Sequence, residues 1–249
     1  MAELLYGRNA VRECLRARRR HIHRLILAQG LQTSPVVNEL QRLAAELKVP
    51  VQHLPRARLD KQTRGHQGVA LEVGRYPLVD LDQIVRRVEK LQNVPLLLAL
   101  DHLEDPQNLG AILRTAEAVG VDGVILPGRR AAGITPAVSN ASAGAAEHLW
   151  IATVPNLVRT LRELKAMNVW VVGVEATETA QAYHAVDLNL PLVLVVGNEG
   201  QGLSRLVRET CDLLIRFPMR GRVESLNASV AAGLALYEAW RARRFRQQR

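Results

Sequence analysis

Cysteine is nearly absent: only Cys14 and Cys211 occur among 249 residues. They lie far apart without metal-ligand spacing, and both read as buried free thiols in a reducing compartment. Long hydrophobic runs are missing as well. None reaches the roughly 18 residues of a membrane span. The opening stretch MAELLYGRNAVREC has no apolar core and carries Glu3 and Glu13, unlike a secretory leader. The seven histidines show no metal spacing, so no metal is expected. No repeat or low-complexity segment is evident beyond an Arg-rich tail. These absences lead to the expectation of a cytoplasmic protein with no membrane partner.

What is present is a chain that is 48% hydrophobic, enough to bury a substantial core as one large domain or two small ones. The formal charge is +9, and it is unevenly placed. Residues 1–75 hold 14 Lys/Arg against 6 Asp/Glu, and the last nine residues, RARRFRQQR, hold five Arg and no acid. The remainder, 76–240, is mildly acidic, with 14 basic and 18 acidic residues. Basic ends on an acidic body suggest a polyanion partner, nucleic acid before others. Arg8, Arg18, Arg19, Arg20 and Arg64 are the candidate RNA contacts, with His21 and His23 in the same RRRHIHR stretch.

Residues 1–75 alternate helix and strand signals. GRNAVRECLRARR places Val11 and Leu15 at helical spacing, and SPVVNELQRLAAELK opens with a Ser-Pro capping signal before Val37, Leu40, Leu43, Ala44 and Leu47. IHRLILA, VPVQHL and QGVALEV read as strands. GRYPLVDLDQ reads as a linker. The expected division is 1–75 as a nucleic-acid-binding module, 76–94 as linker and 95–249 as the main domain. From about residue 95 the runs PLLLALD, GVDGVILP, VWVVGVE, LVLVVGN and LLIRFP alternate with helical stretches. Strands this apolar are buried on both faces, which predicts a parallel sheet between helix layers. Ligands in such sheets gather at the carboxyl ends of the strands.

Three segments at those ends could carry chemistry. In LVLVVGNEGQGLS, Gly197, Gly202 and Ser204 stand in Walker A register, but Leu203 occupies the lysine position and Glu199 adds a negative charge. A dinucleotide fingerprint also fails. The glycine order is G-x-x-G-x-G, and Phe217 stands where an acid for the ribose would be needed. A tight strand-to-helix turn and a ligand site both remain open for this loop. In DHLEDPQNLGAILRTAEAVG, Asp105-Pro106 marks a turn and Asn108 a helix cap. Leu109, Ile112, Leu113 and Ala116 form an apolar face, and Arg114 points away from it between Ala111 and Ala118. In FPMRGRVESLNASVAAGLALYEAW, Ser225 and Asn227 are capping types. Leu226, Val230, Leu234 and Tyr237 then recur as a stripe among small residues. That helix reads either as a capped core helix or as one packed against a symmetry mate.

The order of the three is specific. D-x-x-x-D-P-x-N-x-G-A-x-x-R-T-A, then L-V-x-G-N-E-G-x-G-L-S, then I-R-x-P-M-x-G-x-V-x-S-L-N-A-S-V-A-A-G resembles the SpoU/TrmH family of S-adenosylmethionine (AdoMet)-dependent RNA ribose 2′-O-methyltransferases, over about residues 96–240. The stretches LLYGRNAVRECLRA and RGHQGVALEV look like the accessory domain of the bacterial 23S-type ribosomal RNA guanosine 2′-O-methyltransferases. The resemblance implies an α/β fold of two parts. A C-terminal parallel-sheet SPOUT methyltransferase domain would carry a deep trefoil knot, and a small N-terminal α/β domain akin to an RNA-binding ribosomal protein would precede it.

By the same resemblance, Gly197, Phe217 and Leu226 contact AdoMet largely through backbone groups, and Asn198, Gly202, Met219 and Ser225 complete the pocket. A loop without lysine suits a cofactor with a cationic sulfonium and no phosphate. The family assigns deprotonation of the ribose hydroxyl to the arginine that is Arg114 here. A guanidinium is an unusual base, and orienting an RNA phosphate is the other role open to it. Asn108, Glu199, Ser225 and Asn227 would position Arg114, the ribose and the backbone. The implied assembly is a homodimer whose active site uses both subunits, and the implied substrate is ribosomal RNA. The alternatives are a tRNA ribose methyltransferase, a non-catalytic RNA-binding ribosome-assembly factor, and a nicotinamide-dependent oxidoreductase. Intact Asn108, Arg114, Glu199, Ser225 and Asn227 argue against the second, and the missing acid at 217 against the third.

Overall fold

The computed structural model describes residues 2–90, 94–128, 132–198, 200–223 and 225–245. The first half of the chain forms β1 (Glu3–Tyr6), α1 (Arg8–Ala17), β2 (Ile22–Ala28), α2 (Pro35–Glu46), β3 (Val51–Leu54), α3 (Arg56–Asp60), β4 (Val69–Val73), α4 (Leu81–Lys90), β5 (Leu96–Leu100), α5 (Pro106–Ala118) and β6 (Gly123–Pro127). The second half forms α6 (Pro136–Ala141), a 3-10 turn (Ala145–His148), β7 (Ile151–Val154), α7 (Leu157–Ala166), β8 (Trp170–Val174), β9 (Gln181–Ala182), β10 (Leu192–Val196), α8 (Arg205–Thr210), β11 (Leu213–Arg216) and α9 (Ala228–Ala242). These elements form two compact units. One is Met1–Pro77 with Gly133–His148, and the other is Leu78–Ala132 with Leu149–Arg249.

In the first unit the sheet order is β1-β4-β2-β3, with only the β2–β3 pair parallel. Alternation along β2 sends Leu25 and Leu27 to the face covered by α1 and α2, where they meet Leu15, Leu40 and Val11. Ile26 and Ala28 point to the other face, under Leu59 of α3. Helix α2 starts as its sequence dictates. Ser34 Oγ accepts from Val37 N at 3.3 Å, and Pro35 takes the first turn.

The segment Gly133–His148 belongs to this unit, although its sequence lies within the stretch expected as the main domain. The cause is ionic. Arg20 Nε and Nη2 donate to the two Glu147 oxygens at 2.8 Å each, and Nη1 donates to Glu3 Oε2 at 2.7 Å. Ser139 Oγ donates to Glu147 at 2.9 Å, and Tyr76 Oη to the Ala146 carbonyl at 2.9 Å. Burial opposes the Arg20 charge, but the hydrogen bonds and charge of Glu147 outweigh it and hold the guanidinium above its usual pKa.

In the second unit seven parallel strands run in the order β7-β6-β5-β10-β8-β11-β9. One face packs Leu97, Val171 and Val193 against Ile84 of α4, Leu161 of α7 and Val207 of α8. Helix α4 lies within the stretch expected as linker. Its Leu81, Ile84, Val85 and Val88 have helical spacing, and Ile84 is fully buried. Helix α9 packs against α5, β8 and β10. Its C-terminus is fixed by Arg243, whose guanidinium donates to the carbonyls of Leu188, Ala239, Leu190 and Pro95 at 2.6 to 3.2 Å. Burial lowers this pKa to about 10.

Helix α9 turns a different side inward from the stripe read in the sequence. Ala228, Ala232, Ala235, Leu236 and Ala239 are buried, while Val230, Leu234 and Tyr237 are each nearly half exposed. Close approach of α9 to α5, where Gly233 faces the Thr115 methyl, admits only small side chains. Of the larger ones, Leu236 is buried, and Val230, Leu234 and Tyr237 turn outward.

Candidate active site

The carboxyl ends of β8, β10 and β11 open into a cleft of about 330 Å³. Its walls are the Val174–Thr177 strand end, the loop after β10, Phe217 and Met219 beyond β11, and Ser225, Leu226, Ala228 and Ala231 at the start of α9. Strand β10 is flanked by β5 and β8, so its loop emerges at the centre of the sheet.

That loop folds back on itself. Asn198 N donates to the Gly202 carbonyl at 3.1 Å, and Gly202 N to the Asn198 carbonyl at 2.9 Å. Asn198 Oδ1 accepts from Gly200 N at 2.9 Å, and Nδ2 donates to the His102 carbonyl at 3.2 Å. Two positions require glycine. At 197 a Cβ would collide with the Gly202 carbonyl, and at 202 φ is +65° with a Cβ 2.6 Å from Glu175 Oε1. The close approach is thus one of the loop with itself.

Two acids outside the site residues expected from the sequence hold this loop, one of them, Asp101, opening the D-x-x-x-D-P motif. Glu175 accepts from Leu203 N at 3.2 Å and from Arg208 Nε and Nη2 at 2.5 and 2.7 Å. Asp101, buried at the end of β5, accepts from Ser204 N at 2.7 Å and pairs with His102 Nδ1. The usable signal was their place. Each is the first acid after an apolar strand run, in LLLALD and VWVVGVE.

The motif residues at the helix starts come together. Asn227 caps α9, its Oδ1 accepting from Ser229 N at 2.9 Å, and its Nδ2 donates to Asn108 Oδ1 at 3.1 Å. Asn108 is not itself the cap of α5. Asp105 caps it, accepting from Gln107 N at 3.1 Å and Asn108 N at 3.2 Å. An aspartate just before Pro106 at N1 reaches both exposed amides, which leaves the Asn108 side chain for Asn227. Arg114 is exposed on α5, opposite the buried Leu109, Ile112, Leu113 and Ala116. Among the described residues it makes no hydrogen bond or ion pair. Glu199 lies outside the described residues.

The cleft suits an elongated, partly apolar cation better than a polyphosphate. Gly197, Asn198, Gly200, Gln201 and Gly202 line it together with Phe217, Met219 and Leu226. Among the described residues no lysine borders it, Arg216 is the one basic lining residue, and Glu175 supplies a carboxylate. The Phe217 ring is backed by Tyr183, with centroids 5.0 Å apart. Among the described residues no group of three or more His, Cys, Asp or Glu could hold a metal.

In the first unit the candidate RNA contacts separate by burial. Arg64 is exposed, and Arg18 is exposed but ion-paired to Glu46 at 3.6 Å. Arg8 is half-buried. Arg19 is half-buried and donates to the Glu147 and Pro77 carbonyls while lying over the Tyr76 ring. Arg20 cannot serve as a contact. Its side chain has no exposed surface and is committed to Glu147 and Glu3. Of the two cysteines, both free, Cys14 is buried and Cys211 only partly so.

Comparison with known proteins agrees with this geometry. Residues 95–237 match the SpoU rRNA Methylase family, and residues 4–79 match the RNA 2′-O ribose methyltransferase substrate-binding family. YacO of Bacillus subtilis (strain 168), classed in the TrmH family of tRNA/rRNA methyltransferases, is 45% identical over 97% of this chain and 96% of its own. The SpoU methyltransferase AviRb from Streptomyces viridochromogenes, solved in complex with AdoMet, superposes with a TM-score of 0.81 at 26% identity, over 98% of this chain and 92% of its own. An AdoMet-bound rRNA methyltransferase from Sinorhizobium meliloti gives 0.79 at 27% identity, over 96% and 87%. The chain belongs to the SpoU/TrmH family and is an AdoMet-dependent RNA methyltransferase.

Proposed function

We propose that this enzyme methylates the ribose 2′-hydroxyl of a guanosine in 23S-type ribosomal RNA, as a cytoplasmic homodimer. The observation that carries the reading is the meeting of Asn108 and Asn227 at 3.1 Å, beside a cleft walled by Gly197, Phe217 and Leu226. When bound, AdoMet supplies an activated methyl group. The protein's part is then to hold the hydroxyl in line and to remove its proton. Gly197, Asn198, Gly202, Phe217, Met219, Ser225 and Leu226 form the cofactor wall. Asn108 and Asn227 fix the two helix starts, with Ser225 and Glu199 completing the ribose side. Arg114 stands exposed, ready to orient an RNA phosphate that receives the proton.

Two features support the rest of the reading. The exposed apolar row Val230, Leu234 and Tyr237 on α9, with Ala111 and Arg114 on neighbouring α5, fits a second copy of the chain. The insertion of β10 between β5 and β8, with β11 on the far side of β8, fits the trefoil knot implied by the resemblance. The match to an rRNA methylase family and to a substrate-binding module favours ribosomal RNA. No helix among the described residues is long and apolar enough to cross a membrane. The test is labelled AdoMet with separate rRNA and tRNA pools, followed by mapping of the labelled nucleotide. Label on an rRNA guanosine ribose is expected. Label confined to tRNA, or on a base, would overturn the reading.

A further inference from the structure

The first unit carries 14 Lys/Arg within residues 1–75, and six of them are already answered. Arg12, Arg16, Arg18, Arg20, Arg24 and Arg42 each have a carboxylate within 4 Å, from Glu13, Glu39, Glu46, Glu3, Glu147 and Glu72. These arginines lie on or beside α1, β2 and α2. The segment Arg56–Arg64 differs. Arg56, Arg58, Lys61 and Arg64 are all exposed, and among the described residues none of their side chains has an ion pair or hydrogen bond. The one acid in the segment, Asp60, is engaged elsewhere. Its Oδ1 is 2.8 Å from His66 Nε2, and His66 Nδ1 accepts from Gly68 N at 2.9 Å. The ring proton must therefore sit on Nε2 and be donated to Asp60. Buried His66 ties the end of α3 to the turn before β4, so the basic segment is framed at both ends.

This segment borders the sheet face that α1 and α2 leave uncovered. A shallow groove of about 410 Å³ runs there, lined by Leu4, Ile26, Gln52, Arg58, Gln62 and the Arg24–Glu72 pair. Four uncompensated cations within nine residues, beside a groove with amide side chains, suit the chemistry of a nucleic-acid backbone.

We infer that Arg56, Arg58, Lys61 and Arg64 form the edge on which this unit tracks RNA phosphates, and that the ion-paired arginines of α1 and α2 do not. The inference rests on the reading that RNA is the substrate. The experiment compares the full-length protein with a variant carrying Arg56→Gln, Arg58→Gln, Lys61→Gln and Arg64→Gln, and with a control carrying Arg12→Gln, Arg16→Gln and Arg42→Gln. Binding of total ribosomal RNA, with total tRNA as a second probe, is measured across a salt series, and melting temperatures verify that both variants fold. At roughly 0.7 per phosphate contact on a single strand, losing four contacts flattens the log–log salt slope by about 3. A fourfold rise in salt then costs the variant about fifty-fold less affinity than it costs the wild type. The control is expected to keep the wild-type slope. A wild-type slope in the fourfold variant, or equal losses in variant and control, would overturn the inference. Loop-dependent binding without methyl transfer to either RNA would leave the inference standing and remove the proposed function instead.

Discussion

Asn227 Nδ2 lies 3.1 Å from Asn108 Oδ1, so the first turns of α9 and α5 are joined across 119 positions of chain. The same Asn227 caps α9 through its oxygen, and the two tasks can be separated. Asn227→Ala should cost about 1 kcal/mol of stability from the lost cap and lower the methyl-transfer rate more than tenfold, about 1.4 kcal/mol. Asn227→Ser restores a capping oxygen but not the amide donor. It should recover the stability in urea unfolding while the turnover rate stays low. Recovery of both would reduce the pair to a helix cap.

Gly197→Ala tests the cofactor wall. A methyl there collides with the Gly202 carbonyl, so the turn must open. Overpacking of this kind costs about 1–3 kcal/mol, and AdoMet affinity should fall by roughly tenfold or more. Calorimetric titration of AdoMet reads this directly. Unchanged affinity would show that the turn does not border the cofactor.

Arg114 is exposed, so Arg114→Ala should leave the melting temperature and AdoMet affinity where they are. Turnover should fall by about 10²–10⁴, the range of a lost proton-transfer or positioning group. Arg114→Lys keeps the charge without the planar fork and should rescue little if a phosphate is gripped by two donors. Wild-type turnover by Arg114→Ala would take this residue out of the mechanism.

Leu234 is 47% exposed on the apolar row of α9. If the proposed dimer forms through this row, Leu234→Arg should convert it to a monomer in sedimentation equilibrium and abolish turnover with folding intact. An unchanged mass would place the subunit contact elsewhere.

Burial first, then the charges of Asp212 and Glu175, push the Cys211 thiol up to about 12. At pH 8 its alkylation should run about a thousandfold slower than in the unfolded chain, because only the thiolate reacts. The sign of the pH dependence follows. From about pH 9 to about 12 the unfolded chain releases this proton and the folded chain keeps it. The contribution of this thiol to stability is thus present below about pH 9 and lost as pH rises towards 12. Fast labelling of the folded protein at pH 8 would contradict the burial.

The parallel sheet was legible because β5, β6, β8, β10 and β11 are apolar runs closed by Gly, Pro or acidic residues. Strand β7, IATV, and the four-residue β1 were not, since such short segments become strands only through their neighbours. Two-residue β9 has no sequence signature at all. At the site, motif order located the Gly197 loop, Asn108 and Asn227. Periodicity misled on α9, where four alanines and Leu236 face the core while Val230, Leu234 and Tyr237 do not, because helix spacing rather than hydrophobicity sets which side turns inward. Glu175 and Asp101 carry only the weak signal of an acid closing an apolar strand run, and the Arg20–Glu147 pair depends on a chain distance that no local pattern encodes.

The chain enters the first unit, leaves at Pro77, returns at Gly133 and leaves again after His148. That route makes the RNA-facing module non-portable. A gene fusion or recombination with one breakpoint near residue 77 would match Arg20 with a foreign residue at position 147, leaving a fully enclosed charge with only Glu3 as its counterion. Any exchange of substrate preference between relatives must therefore carry two separated stretches of sequence together.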